Sequence, residues 1–400
     1  MRMGSQQKTS LWTGSFVLLI LLNLFNGIAG QMTIPLVAKY SLSLTPDLTL
    51  ASTVSGLMSL VSLFICPFAG LLSDRFDRRK ILIYSSAGYG IALIGHAFAV
   101  NIALLVVLRL LTGLFFSICS VTLVAYSTAF IPRERMGEGL GVTALASILA
   151  QAIGPAFGLQ GVEWLGYPVT FVISGLFALF CMVVILFMPY SAASPPKEKR
   201  KISFHDLFAV EFTGFMLLAA LFSSGNGFIS TYLAIVAEER GIQNIALFFT
   251  VYSICMVALR PLTGKLLDRC GVYVILFPSV VFAALGMVLI GIGYSLGIML
   301  VASVLKALGQ GSGTPSLQAY VVKKLDKERA GVATSTIMIG QNVGNAVAPI
   351  IGSFFVTSYG YETMFCGFGG LLLGAGLLIL LIYRFQEGKV RKRKEAEAIK

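Results

Sequence analysis

Three basic side chains, Arg109, Arg260 and Lys306, fall inside long apolar stretches of the 400-residue chain. A cation at mid-membrane depth is costly, so Arg109 and Lys306, well inside their spans, are expected to face a wet cavity or a partner. Thr112 follows Arg109 at three residues and Gln310 follows Lys306 at four, so each pair shares a helix face; Asn23 and Asn26 do the same. Further amides and hydroxyls at Gln31, Gln151, Asn226, Tyr232, Gln341, Asn342 and Asn345 interrupt other apolar stretches. These groups can hydrogen-bond a solute, and the Arg109 guanidinium and Lys306 ammonium can bind a carboxylate or phosphate directly. Bond-making chemistry has no such footing. No nucleophile, base or metal constellation is present, and the six cysteines lie in or at the ends of apolar runs without CxxC or Cys/His spacing. There is no G-x-x-x-x-G-K-[ST] phosphate loop for ATP. The expectation is a protein that binds and moves a solute, with no enzyme activity, cofactor or metal.

The elements that must position these groups are membrane-spanning helices. Hydrophobic residues make up 56% of the chain and charged residues only 12%, against about 25% charged in an ordinary globular protein. That deficit excludes a soluble enzyme, a nucleic-acid reader and a disordered scaffold. Unbroken apolar runs such as 15–24 and 371–382 also exclude the short alternating strands of an outer-membrane barrel. About 20 apolar residues cross a bilayer. On that scale twelve helices are predicted near 12–39, 50–72, 81–100, 102–131, 138–163, 167–190, 207–237, 243–267, 272–294, 296–322, 331–357 and 361–384.

The formal charge of +12 records topology. With both termini cytoplasmic, 25 Lys and Arg residues collect on the inner side and only Lys39 and Arg240 on the outer, as the positive-inside rule requires. Residues 191–206, with two prolines and a charge run, read as a cytoplasmic linker, and 386–400 as a basic cytoplasmic tail.

An offset of 194 residues superimposes the two halves. It aligns Pro67 with Pro261, Gly70 with Gly264, Asp74 with Asp268, Arg75 with Arg269, Pro155 with Pro349, Gly158 with Gly352 and Gly166 with Gly360, with no gap over more than 100 residues. The predicted fold is therefore all-α: a six-helix bundle at 1–190 and a pseudo-symmetric second at 207–385. A cavity between two such halves opens to either side as they rock.

The stretch Gly70-Leu71-Leu72-Ser73-Asp74-Arg75-Phe76-Asp77-Arg78-Arg79-Lys80 resembles the G-x-L-a-D-r-x-G-r-k loop of the major facilitator superfamily. Asp77 replaces the usual glycine, which Gly271 keeps in the second half, where Val272 and Tyr273 stand in place of the basic pair. Arg109 to Gly113 resembles the R-x-x-x-G motif of twelve-helix proton-coupled drug exporters, with Thr112 in place of a frequent glutamine. Gly154-Pro155-Ala156-Phe157-Gly158 resembles the G-P-x-x-G antiporter signature. The resemblance implies that Gly70, Asp74, Arg75, Arg78, Gly154, Pro155, Gly158 and Asp268 serve conformational switching. Gly70 is expected to allow close helix approach.

The same resemblance implies that helices 1, 4, 7 and 10 line the cavity. The expected substrate contacts are then Asn23, Asn26, Arg109, Thr112, Asn226, Tyr232, Lys306 and Gln310, with Gln341 on helix 11. His96, near the outer end of the third span, reads as structural. No acidic residue lies deep in a span, although proton-coupled exporters commonly hold one. The expected function is proton-coupled efflux of a small drug-like or metabolite-like molecule by a monomer in the cytoplasmic membrane, with protons, substrate and lipid as its partners and no nucleic acid. The alternative is a carrier of an anionic solute held by Arg109 and Lys306.

Overall fold

The computed structural model describes residues 12–132, 135–188, 210–324 and 330–398. The linker predicted at 191–206 lies outside the described residues, as do the side chains of Asp74 and Asp268. Four helices open the chain: α1 (Gly14–Leu44), α2 (Leu48–Arg75), α3 (Arg78–Gly95) and α4 (Ile102–Ser127). Their starts are capped as the sequence dictates. Asp47 accepts from the Thr49 and Leu50 amides at 2.8 and 3.2 Å, and Asn101 accepts from the Leu104 amide at 2.8 Å.

The stretch Met136–Phe187 is broken at Gly166 (φ 77°, ψ 170°) into α5 (136–165) and α6 (167–187). In the second half come α7 (Thr213–Glu239), α8 (Ala246–Cys270) and α9 (Tyr273–Ile292). Next is α10, formed by Leu296–Lys306, a π turn at Ala307–Gly311 and Ser312–Lys324. The stretch Ala330–Ala398 is broken at Gly360 (φ 81°, ψ 169°) into α11 (330–359) and α12 (361–398). Gly166 and Gly360 are 194 residues apart and nearly identical in conformation, so the repeat extends to the backbone.

One motif position differs between the halves, and for a reason. Gly271 takes φ 82° at the end of α8, where a side chain would be strained. Asp77, its counterpart, sits at φ −63° and caps α3 by accepting from the Arg79 amide at 2.9 Å. The first half has exchanged a left-handed turn for a side-chain cap. At the other end of the chain, α12 continues as helix to Ala398, through most of the segment expected to be a basic tail; Glu, Lys, Arg and Ala favour helix there.

Within each half the tightest packing uses glycine. A Cβ on Gly158 would lie 2.3 Å from the Met32 carbonyl oxygen, fixing α5 against α1; one on Gly344 would lie 2.2 Å from that of Ala220, fixing α11 against α7. Across the halves, a Cβ on Gly56 would meet the Ala346 carbonyl oxygen at 2.6 Å, so α2 crosses α11 closely, and Ile148 of α5 packs with Tyr252 and Met256 of α8. Exposed Phe64, Phe68, Ile91 and Phe187 cover the outer surface as lipid-facing groups, with Trp12, Trp164 and Tyr359 near helix ends, where amphipathic rings meet headgroups.

The two faces of the bundle differ. On the far face, opposite the start of α1, one apolar cluster joins Leu36, Val37 and Leu159 of the first half to Tyr232, Leu233, Val236 and Phe248 of the second. Lys39 and Glu238 pair across the same seam at 2.7 Å. Toward the terminal face each half has its own cluster, around Phe16, Leu82 and Tyr126 in one and Phe215, Leu276 and Leu380 in the other. The halves are joined on the far face and parted on the terminal one.

Candidate functional site

A cavity of about 490 Å³ lies between the halves. Residues of α1, α2, α4 and α5 line it on one side and residues of α7, α8, α10 and α11 on the other. Four lining pairs are related by the 194-residue offset: Ser55 with Phe249, Met58 with Tyr252, Gln151 with Asn345 and Pro155 with Pro349. The cavity therefore lies about the axis that relates the repeats.

Lys306 reaches this cavity from α10 with only 5% of its surface exposed. Its Nζ donates to Asn226 Oδ1 at 3.1 Å, and the Asn226 amide approaches Asn345 Oδ1 at 3.5 Å. The ammonium also lies 4.1 Å from the centre of the Tyr252 ring and 5.9 Å from that of Phe248, where the ring faces attract a cation. The π turn begins at the next residue. Its glycines permit close packing on α9, since a Cβ on Gly309 would meet the Ala283 amide nitrogen at 2.4 Å. A straight helix drifts about 40° for every four residues. The wider turn limits that drift, so Lys306, Gln310, Thr314 and Gln318 all reach the cavity.

Arg109 enters from α4 and is 1% exposed. Its Nη2 donates to the Ser55 carbonyl at 3.4 Å, while Nε and Nη1 meet no acceptor among the described residues. Arg260 lines the cavity from α8, and its Nε is likewise buried and unclaimed. Among the described residues, no aspartate or glutamate lines the cavity.

Of the predicted contacts, Arg109, Asn226, Lys306, Gln310 and Gln341 line this space, as do Gln31, Gln151 and Asn345. Asn23, Asn26, Thr112 and Tyr232 do not. Asn23 donates to Leu19 O at 2.9 Å in its own helix, and Asn26 is buried against Cys119, whose thiol donates to its Oδ1 at 3.4 Å. Asn26 is off the lining face, about 140° around the helix from Gln31 at 3.6 residues per turn, whereas Asn23 lies within about 20° of the lining Ile34 but about 16 Å along the helix toward the terminal face. Thr112 donates to Leu108 O, and Tyr232, one residue past the lining Thr231, turns into the far-face cluster and donates to Pro349 O. The walls supplied by α2 (Ser55, Met58, Ser59) and α8 (Phe249, Tyr252, Met256) were not anticipated; the 194-residue offset is the one signal that ties them together.

The switch residues are placed as follows. Gly154 and Gly158 hold α5 against α1, and Pro155 lines the cavity. Arg78 donates to Ser73 O at 3.2 Å and to Ala125 O at 2.9 Å, tying the end of α2 to the end of α4. Arg75 is exposed at the end of α2. Gly70 corrects the expectation of close approach: among the described residues, a Cβ there, or on its counterpart Gly264, would meet nothing within 4 Å, because the terminal-face ends stand apart. His96 is fully buried, its Nδ1 2.7 Å from Ala92 O and its ring against Phe171, away from the cavity.

The family model described as Major Facilitator Superfamily matches residues 19–248 and 215–399. The chain belongs to the major facilitator superfamily. As a member of that superfamily it is a multi-pass membrane transporter. It is 23% identical to the multidrug resistance protein MdtG of Citrobacter koseri, over 98% of this chain and 97% of the relative. Its fold is similar to the crystal structure of the nucleoside transporter NupG (TM-score 0.74, 13% identity, 93% of this chain and 99% of that one). It is also similar to the peptide transporter POT in complex with sulfate (TM-score 0.76, 14% identity, 92% and 94%).

Proposed function

We propose that this superfamily member is a secondary active transporter of the cytoplasmic membrane that exports a small drug-like or metabolite-like molecule, as a monomer, by alternating access driven by the proton gradient. One observation carries the reading: the cavity has walls from both halves, a far-face end knit by a shared apolar cluster and a terminal-face end where the halves have separate clusters. One-sided closure of this kind is what an end state of two rocking bundles requires. The bias of 25 basic residues to 2 supports a cytoplasmic terminal face and, with it, an inward-open reading of this state. The multidrug resistance role in the name of the Citrobacter koseri relative supports efflux, as does the likeness of Gly154, Pro155 and Gly158 to an antiporter signature. The cationic lining, without a carboxylate among the described residues, favours the second reading, in which the solute is an anion bound by Arg109 and Lys306.

The test is transport in proteoliposomes carrying purified protein, with a drug panel and an imposed pH gradient. Solute movement against its own gradient, collapsed by a protonophore, is the expected result. Movement that only dissipates the solute gradient and ignores protons would remove the coupling.

A further inference from the structure

Three cations reach one cavity and, among the described residues, no acidic partner answers them. Arg109, Arg260 and Lys306 come from α4, α8 and α10. Among the described residues, the ion pairs Lys39–Glu238 and Lys324–Glu387 involve none of the three. The Nε and Nη1 of Arg109 and the Nε of Arg260 are buried N–H donors that the protein leaves unclaimed, in side chains that line the space. Buried donors of this kind are costly unless an acceptor completes them. Next to them Phe249, Tyr252 and Met256 form an apolar wall on α8. A cationic guest would meet like charge with nothing to offset it, whereas a neutral one would leave three charges uncompensated.

We infer that the molecule bound here is an amphiphilic organic anion, its carboxylate, sulfonate or phosphonate head held by Arg109, Arg260 and Lys306 and its apolar or aromatic body laid on the α8 wall. This rests on reading the cavity as the substrate site. A guanidinium supplies parallel N–H donors that match an oxyanion head. The Lys306 ammonium adds a compact charge already oriented by Asn226. A volume of about 490 Å³ is within the range of drug-sized ligand sites.

The experiment uses the purified full chain in detergent and measures equilibrium binding and the shift in unfolding midpoint. Its probes share one ring system: 2-naphthoate, naphthalene-2-sulfonate and 2-naphthylphosphonate, against neutral 2-naphthamide and cationic 2-naphthylmethylammonium. At least one of the anions is expected to bind at least tenfold more tightly than the amide or the ammonium and to raise the midpoint. Lys306→Gln and Arg260→Gln should each weaken that anion at least tenfold without weakening the amide, while Lys306→Arg keeps most of the affinity. The ligand-free midpoint of each variant reports whether it folds; Arg109, the most buried of the three, is left intact.

Binding of amide or ammonium as tight as that of the best anion overturns the inference. So does failure of all three anions to bind, or anion binding that neither Gln variant changes. The cavity reading is judged separately: if the preferred probe is neutral or cationic but is lost in Tyr252→Ala or Gln341→Ala, the cavity remains the site and only the anionic class falls. Binding that no cavity substitution alters removes both.

Discussion

Lys39 near the end of α1 and Glu238 near the end of α7 meet at 2.7 Å, an ion pair that joins the two halves on the far face. Glu238 is 68% exposed, and exposed pairs contribute only about 0–1 kcal/mol. The pair therefore reports whether the far face is closed more than it holds the fold together. Lys39→Ala and Glu238→Ala are each expected to leave the unfolding midpoint nearly unchanged while altering the transport rate, and the charge swap Lys39→Glu with Glu238→Lys to restore it. With the six natural cysteines replaced, a bis-methanethiosulfonate spacer joining Lys39→Cys to Glu238→Cys should arrest transport until reduced. Unchanged transport in the cross-linked protein would show that the far face need not open.

The glycines of the repeat separate packing from motion. Gly158→Ala drives a methyl to 2.3 Å from the Met32 carbonyl oxygen, and the expected loss of stability is about 1–3 kcal/mol. Gly70→Leu meets open space in this state, so the midpoint should hold while transport falls, provided the terminal-face ends come together during the cycle. Thermal unfolding and vesicle transport measured on the same two variants check both outcomes.

Restoring the family's glycine at position 77 should not help. Asp77 already sits at φ −63° and caps α3, so Asp77→Gly is expected to lose a few tenths of a kcal/mol and Asp77→Ala about 0.5–2 kcal/mol. A rise in stability of Asp77→Gly, measured by thermal unfolding, would mean that the cap contributes nothing.

Asn226 holds Lys306 in place. Asn226→Leu removes the acceptor at 3.1 Å from a nearly buried ammonium, for an expected loss of about 1–3 kcal/mol and of transport. Asn226→Asp keeps an acceptor and adds a negative charge to the cationic lining; stability should be largely retained while recognition of an anionic solute is lost. Unfolding midpoints and solute uptake distinguish the two.

The sequence made the helices and the repeat legible because both are written in long-range patterns: apolar length gives the spans, and the 194-residue offset gives even the matching backbone at Gly166 and Gly360. Arg109 and Lys306 were legible because a charge in an apolar run has few places to go. Rotation about a helix axis was not. Spacing puts Asn23 and Asn26 near one face but gives neither its direction nor its depth: Asn26 turns onto Cys119 of α4, while Asn23 bonds Leu19 O of its own helix. Met58, Phe249 and Met256 were invisible for the opposite reason: an apolar side chain looks the same in sequence whether it meets lipid or a guest molecule. Only packing against the other half distinguishes them.

The pairs Met58 with Tyr252 and Gln151 with Asn345 give the cavity a near-twofold outline, in which an elongated guest could lie head to tail or reversed with similar shape complementarity. The charges do not obey that symmetry: the same offset sets Arg109 opposite Ser303, Lys306 opposite Thr112 and Arg260 opposite Cys66. On the inference that these three cations hold the head, a guest has one polarity of docking, set by residues that the duplication did not preserve.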